Sequence, residues 1–183
     1  THQFDQRLER MTSDLAETLW LDLSALYGYF PAQSQGNALL VYHPDRYQKG
    51  VLEPAARFEF PRQLQPGGLC LADYFAPVQG GQVDVAAFQI VTVGQRAIDH
   101  IHTLNDSGDM SESYFAHGLA VQLTEALANY THALIRRELG LSSRQGKRYS
   151  WGYPVIPDLS QHETLFTLLP AARELGMRLT AAY

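Results

Sequence analysis

The first 25 residues carry apolar side chains that recur every three or four positions. The repeated positions are Leu8, Met11, Leu15, Leu19 and Leu23. This spacing places them on one face of a helix, so the pattern predicts an N-terminal helix within residues 1–25, starting near residue 5. The helix is expected to end before Gly28 and Pro31, because these two residue types interrupt helices.

The apolar runs that follow are short enough to be strands. Residues 38–42 and 56–60 are predicted as short strands joined by a polar loop. Turn-forming residues occupy positions 65–68 and 79–81. Residues 83–93 give the strongest strand prediction in the chain. They are apolar nearly throughout, so we expect both faces of this strand to be covered.

Helical patterns dominate the second half of the chain. A first helix is predicted over residues 95–104. A second, much longer helix is expected to begin after Asp109, an N-cap residue followed three positions later by Glu112, and to end at Gly140. A final short helix is predicted over residues 160–175. Strands precede helices, which is typical of a single α+β domain with a mostly antiparallel sheet, here over residues 1–183.

Composition and charge narrow the function classes. Hydrophobic residues make up 45% of the chain and the net charge is −5, so no basic surface is expected to bind nucleic acid or anionic lipid. Apolar runs are far too short to span a membrane, and residues 1–20 lack the apolar core of a signal peptide. The single cysteine, Cys70, lies in an apolar run and is expected in the core. We therefore expect a soluble, cytoplasmic protein.

Motifs for common catalytic and metal sites are missing from the sequence. The seven histidines show no metal-ligand spacing, so no metal site is predicted. Neither a nucleophile-elbow motif nor a phosphate-binding glycine loop occurs. The glycine fingerprint of Rossmann folds is absent as well, which argues against the usual methyltransferase fold.

The long predicted helix carries two parallel rows of residues. One row is apolar and is expected to be buried: Phe115, Leu119, Leu123, Leu127, and Leu134 or Ile135. The other row is polar: Gln122, Glu125, Asn129, His132 and Arg136. This polar row is either a solvated surface with weak ion pairs, which periodicity alone favours, or one wall of a cleft with Glu125 near its centre.

Residues 148–154 form the second candidate binding segment. The guanidinium of Arg148 suits a carboxylate, and the neighbouring Trp151 or Tyr153 can stack on a planar base. Gly152 allows backbone to approach a ligand closely. The alternative is a rigid aromatic turn packed on the edge of the sheet. The residues alone leave both interpretations open.

Several stretches, in order, resemble one known family. They are Gly28-Tyr29-Phe30-Pro31-Ala32 with Leu40-Val41-Tyr42, Phe60-Pro61-Arg62-Gln63 with residues 69–77, the strand at 84–92, the long helix through Glu125 and His132, and Arg148-x-x-x-Gly152-Tyr153-Pro154 with Pro157-Asp158. From about Trp20 to Tyr183 the chain is similar to the C-terminal activation module of cobalamin-dependent methionine synthase.

This resemblance implies a fold and a role. The fold is a curved α+β domain with a twisted antiparallel sheet, unlike the Rossmann methyltransferases. The module binds S-adenosylmethionine and presents it to cobalamin held by the cobalamin-binding module of the enzyme that converts homocysteine to methionine. With an electron from flavodoxin or a similar donor, oxidised cob(II)alamin is methylated again. Cobalt supplies the chemistry and this domain supplies binding and orientation, so no catalytic side chain is expected. This chain alone is not expected to bind cobalamin tightly, because another module carries the histidine that ligates the cobalt.

The resemblance also assigns binding residues. Arg148 matches a family arginine suited to the ligand carboxylate, and Glu125 matches an acidic residue suited to the ammonium or sulfonium. Ser150, Gly152 and Tyr153 match positions that line the site. Family members carry an acidic ligand residue upstream of the Gly28–Pro31 stretch, and some carry a glutamate at the position of Ser142. They also have a further C-terminal strand. This sequence has none of these three features. We therefore expect a pocket incomplete on two sides, and the alternative function is docking or capping without a competent site.

Overall fold

The computed structural model of the protein describes residues 20–142 and 145–181. Within these residues, four antiparallel strands form one sheet: β1 (Ser24–Gln35), β2 (Ala38–Tyr42), β3 (Pro54–Glu59) and β4 (Asp84–Thr92). Their order across the sheet is β3-β2-β1-β4. The two predicted short strands are thus present, and the predicted α+β class with an antiparallel sheet is confirmed.

Strand β1 runs through the segment where the sequence predicts the end of a helix. Ser24 pairs with Thr92 and Ala25 with Val91, so the predicted helix is wrong at its C-terminal end. Residues 5–19 of that predicted helix lie outside the described residues. Leu23 is 47% exposed and belongs to no buried stripe. Pairing with β4 therefore overrides the local helical pattern.

Pro31 lies inside β1 without breaking the sheet. It pairs with Val85 of β4, whereas pairing of β1 with β2 begins only at Ala32. At Pro31 the strand has a neighbour on one side only. Proline lacks a backbone N–H, and it is tolerated where one ladder is absent.

Strand β4 is less covered than its apolar sequence suggests. Ala86 and Phe88 are buried, but Val85 is 50% exposed and Ala87 is exposed as well, so the expectation that both faces are covered is wrong for the N-terminal half. β4 is an edge strand, and Gln89 in its C-terminal half bonds to the helix that follows Asp109. This arrangement leaves one edge of the sheet open.

Most helices begin and end where local sequence signals place them. They are α1 (Pro44–Tyr47), α2 (Gln95–Asp106), α3 (Met110–Glu138) and α4 (His162–Leu168). The carboxylate of Asp109 accepts a hydrogen bond of 3.1 Å from the backbone N–H of Glu112, which confirms the predicted cap. The final helix is shorter than predicted, because Leu169 leaves helical geometry before Pro170, a residue that disfavours helix at the preceding position.

Small residues, rather than leucines, form the most buried stripe of α3. The buried positions are Ser113, Ala116, Ala120, Ala128, Thr131 and Ile135. Ile135 belongs to the predicted apolar row and is buried as expected, whereas Phe115 and the predicted leucines are half-buried beside the stripe. Most of the predicted row is therefore displaced around the helix. Small side chains allow the helix backbone to lie close to its neighbours. Ala116 packs against Trp20 and Ala97, the latter on α2. At Ala128 the neighbour is the sheet: the amide of Gln89 on β4 donates a hydrogen bond of 3.1 Å to the carbonyl of Ala128.

The C-terminal end of α3 is also tied to the sheet. The hydroxyl of Tyr27 donates to Glu138 at 3.0 Å, and the hydroxyl of Tyr29 donates to the other oxygen of the same carboxylate. A carboxylate at this end of a helix is electrostatically unfavourable, and the two phenol donors offset that cost. The helix is therefore held against β1 as well as β4.

The main core lies on the opposite face of the sheet. Aromatic rings dominate it, with ring centroids 5.8 Å apart for Phe30 and Phe88 and 5.1 Å apart for Phe58 and Phe88. Leu165 of α4 and Cys70 complete this core, and Cys70 is 2% exposed as expected. No helix in residues 20–142 and 145–181 has the length and apolar character needed to cross a bilayer.

The buried stripe of α3 is expected to tolerate larger side chains poorly. Ala116 is fully buried at the interface between α3 and α2, whereas Ala126 is exposed on the same helix. We expect Ala116→Leu to lower the free energy of unfolding by about 2 kcal/mol, because the larger side chain overpacks the interface. Ala126→Leu should stay within about 0.5 kcal/mol of wild type. Urea unfolding measures both, and equal effects would contradict the assignment of the buried stripe.

Candidate functional site

A cavity of about 900 Å³ opens at the uncovered edge of β4. One wall is α3, which contributes Glu125, His132 and Arg136, and another is the segment of residues 146–151. We refer to it as the edge cavity. Its position follows from the fold: an edge strand has no neighbour on one side, and the chain leaving α3 crosses back over that gap.

The turn after α3 directs residues 146–151 towards the cavity. The backbone N–H of Leu141 bonds to the carbonyl of Arg136 at 2.9 Å, and the Arg136 guanidinium donates to the carbonyl of Ser142. Gly146 has φ +66, and a Cβ there would lie 3.1 Å from a Leu141 methyl group. Glycine fits this left-handed position without strain.

Arg148 is the most connected side chain of the edge cavity. Its Nη2 lies 2.9 Å from Glu125 Oε2 and 3.2 Å from Asn129 Oδ1, and its Nη1 lies 3.4 Å from Ser150 Oγ. The side chain is 23% exposed, whereas that of Glu125 is 55% exposed. The arginine is thus held in place with its carboxylate partner facing solvent at the rim.

His132 lies on α3 and lines the same cavity as Arg136 and Arg148. Burial lowers the pKa of its imidazole, and the positive charges of Arg136 and Arg148 lower that pKa further. A hydrogen bond with the backbone of Gly146 acts in the opposite direction but is weaker. The lowered pKa favours a neutral ring at neutral pH.

The inner part of the cavity is aromatic and contains unpaired polar atoms. Trp151 lies 5.8 Å from Phe58 and 5.5 Å from His162, measured between ring centroids. Four buried side-chain atoms have no hydrogen-bond partner within the described part of the chain: Gln89 Oε1, Arg136 Nε, Trp151 Nε1 and His162 Nδ1. All four belong to residues that line the edge cavity. Buried polar atoms are rarely unpaired, so this clustering indicates a place for a polar ligand.

An ion pair holds the loop that forms the far wall of the cavity. Arg62 donates two hydrogen bonds of 2.6 Å to Asp73, and its Nη1 also donates to the carbonyl of Gly68 at 2.9 Å. Asp73 additionally accepts from the backbone N–H of Cys70 at 2.8 Å. The neighbouring Leu71, Tyr74 and Phe75 line the cavity. This ion pair therefore joins residues 60–63 and 69–77, two of the stretches that carry the family resemblance.

The structure brings together three of the five predicted site residues. Glu125, Arg148 and Ser150 line the edge cavity, whereas Gly152 and Tyr153 do not. Tyr153 is 62% exposed, and the N–H of Ile156 donates to its carbonyl at 2.8 Å. Gly152 has φ +87 in the same turn. Residues 148–151 thus face the cavity and residues 152–156 form a turn, so binding by Gly152 and Tyr153 stays a prediction.

The polar row on α3 forms a cleft wall in one part and a solvated surface in another. Glu125, His132 and Arg136 line the cavity, while Gln122 is exposed and lies outside it. No pattern in the sequence pointed to Gln89 or His162, which come from two distant segments and also line the cavity. Within the described residues, no three His, Cys, Asp or Glu side chains cluster closely enough to hold a metal ion.

Comparisons with known proteins agree on one family. Residues 3–183 match the family described as "Vitamin B12 dependent methionine synthase, activation domain". A methionine synthase of Mycobacterium tuberculosis (strain ATCC 25618 / H37Rv) is 34% identical over 196 residues, covering 94% of this chain and 16% of the relative. A methionine synthase of Mycobacterium leprae (strain TN) is 35% identical over 176 residues, covering 82% of this chain and 14% of the relative. The chain therefore spans only a small part of these relatives.

A solved structure shares the fold. The crystal structure of the MetH reactivation domain bound to AdoHcy has a TM-score of 0.88 with this chain, covering 100% of this chain and 60% of that one, at 24% identity. At this level of identity the similarity speaks for the fold, and it confirms the predicted α+β architecture.

The Arg62–Asp73 ion pair is expected to make the stability of the protein depend on pH. The hydrogen bonds from Arg62, and then that from Cys70, lower the pKa of Asp73 to about 2 from 3.8. Because the folded-state pKa is lowered, the stabilisation is present above the unfolded pKa of 3.8 and is lost as pH falls towards about 2. We expect Asp73→Asn to be less stable at neutral pH and to lose less stability over this range. Urea unfolding at several pH values, with Asp106→Asn as control, measures this difference; parallel pH profiles for wild type and Asp73→Asn would contradict it.

Proposed function

Because the chain belongs to the vitamin B12-dependent methionine synthase activation-domain family, we propose that it binds S-adenosylmethionine in the edge cavity. The proposed role is to present the methyl group of this ligand for the reductive methylation of cobalamin held by a partner module. This step would restore the enzyme that converts homocysteine to methionine.

The observation that carries this proposal is the Arg148–Glu125 pair at the cavity wall. The amino-acid end of S-adenosylmethionine carries a carboxylate, an ammonium group and a nearby sulfonium. A guanidinium suits the carboxylate and a glutamate suits either cation. In the free protein the two side chains pair with each other at 2.9 Å. A zwitterionic ligand can replace each partner, so neither partly buried charge is left unpaired on binding.

The inner cavity supports binding of the nucleoside. Trp151 and Phe88 supply apolar aromatic surface, and the unpaired Gln89 Oε1 and Trp151 Nε1 supply an acceptor and a donor. The base and ribose of the ligand offer complementary polar groups. The structural neighbour is a reactivation domain bound to AdoHcy, the form of the ligand that lacks the methyl group. We assign Ser150 of the cavity lining to this part of the site as well. We also propose that Gly152 and Tyr153, in the turn that follows outside the lining, contribute to binding.

The chain contributes binding and orientation rather than acid–base chemistry. Cobalamin is assigned to the cobalamin-binding module of the enzyme, as the family resemblance implies. That cofactor supplies the methyl acceptor, with an electron from flavodoxin or a similar donor. The open edge of β4, where Val85 is 50% exposed, leaves the cavity accessible from outside.

Ligand titration tests the binding role. We expect S-adenosylhomocysteine and S-adenosylmethionine to bind the chain, and Arg148→Ala and Glu125→Ala each to weaken S-adenosylmethionine binding about tenfold, because each removes one charged contact. Arg137→Ala is the matched control, since Arg137 is exposed on α3 outside the cavity. Isothermal calorimetry measures these affinities. No binding by folded wild-type chain would instead favour the alternative of a docking or capping module without a competent site.

Reactivation tests the role within the whole enzyme. In a full-length methionine synthase carrying this domain, we expect Arg148→Ala to leave turnover from methylcobalamin within about twofold of wild type, because the substitution lies outside that chemistry. Recovery of oxidised enzyme by S-adenosylmethionine and a reductant should fall at least about tenfold. Cobalamin absorbance follows recovery, and Arg137→Ala again serves as control. Normal recovery by the Arg148→Ala enzyme would contradict the proposal.

A further inference from the structure

The edge cavity carries more positive than negative charge. Arg136, Lys147 and Arg148 line it, and Glu125 is the one acidic side chain among the described lining residues. The proposed ligand is itself cationic: S-adenosylmethionine bears one more positive charge than S-adenosylhomocysteine, because methylation converts a thioether into a sulfonium. A further positive charge in this wall would therefore weaken binding of the methylated form selectively.

His132 is the lining residue placed to add or withhold that charge. It lies one helical turn from Arg136 and is half-buried in the wall beside Arg148. Gly146, at the start of the segment that carries Arg148, lines the same cavity. Arg148 in turn bonds to Glu125 at 2.9 Å, so the imidazole lies beside the groups that would contact the ligand's charged end.

We propose that His132 determines how well the edge cavity distinguishes S-adenosylmethionine from S-adenosylhomocysteine. This inference rests on the proposed function and names a residue that controls specificity at the same site. A neutral imidazole tolerates the sulfonium, and a protonated one repels it. The substrate with a methyl group to give is therefore accepted best when His132 is uncharged, whereas the demethylated product is affected less.

The surroundings of His132 support a charge effect that belongs to this residue. The charged or titratable groups that face the same cavity are Glu125 and Arg136 on α3, Lys147, Arg148 and Tyr149 on the crossing segment, His162 on α4, and Tyr74. His162 packs against Trp151 in the aromatic part of the cavity and is the one competing histidine in this lining.

Paired ligand titrations test the inference. We would measure the dissociation constants of both ligands from about pH 7.5 to 5.5 in wild type, His132→Gln, His162→Gln and His102→Gln, the last at an exposed position outside the cavity. In wild type we expect the ratio of the S-adenosylmethionine constant to the S-adenosylhomocysteine constant to rise about fivefold as pH falls. His132→Gln should abolish that rise, while the other two variants keep it.

Linkage provides a second measurement that needs no variant. If protonation of His132 weakens one ligand about fivefold relative to the other, the histidine must titrate about 0.7 pH units lower in the S-adenosylmethionine complex than in the S-adenosylhomocysteine complex. The ring proton resonances of His132 report this by NMR. Equal titration in both complexes would overturn the inference even if His132→Gln failed to fold.

The outcomes separate this inference from the proposed function. If wild type binds both ligands and their ratio does not change with pH, the role of His132 is wrong and the binding site stands. The same holds if His162→Gln, but not His132→Gln, removes the pH dependence. If folded wild type binds neither ligand at any pH, the proposed function fails and the specificity role fails with it.

Discussion

The antiparallel ladder between β1 and β4 is the constraint on which the rest of the structure depends. It runs from Ser24–Thr92 to Ala32–Asp84 and extends β1 well beyond its pairing with β2. Because β4 has no further neighbour, one edge of the sheet stays open. The long helix lies on one face of this ladder and the aromatic core on the other, so the cavity forms where both faces meet the open edge. A sheet with β4 in its interior would have no space for a site there.

Charge pairs then give the open edge a defined shape. Arg62 and Asp73 hold the loop on one side, and Arg148 is held on the other side by Glu125, Asn129 and Ser150. These pairs are partly exposed, so each contributes little to overall stability. Their effect is geometric: they fix two chain segments that have little regular secondary structure. The site is therefore assembled from loops supported by a rigid strand and helix, an arrangement common in binding proteins.

The edge cavity also retains features that a purely structural surface would not. Its walls hold buried polar atoms on Gln89, Arg136, Trp151 and His162 that have no partner within residues 20–142 and 145–181. Unpaired buried groups cost free energy, and local departures from good packing are expected mainly at functional sites. Together with a histidine whose neutral form is favoured by burial and by the charges of two arginines, they describe a site suited to a polar, charged ligand.

Local signals in the sequence determined the helices and much of the candidate site. The periodicity of α2 and α3, the N-cap of α3 and the short strands β2 and β3 could be identified from neighbouring residues. Glu125, Arg148 and Ser150, which line the cavity, could be identified from the ordered motifs that carry the family resemblance. Only the tertiary structure decided where β1 begins, which half of β4 is exposed, and that small residues rather than leucines form the buried stripe of α3. It alone placed Gln89, Trp151 and His162 in one cavity and Tyr153 outside it. The physical reason is that strand pairing, close packing and cavity lining join residues far apart in the chain, and no local pattern records which distant partner a side chain will meet.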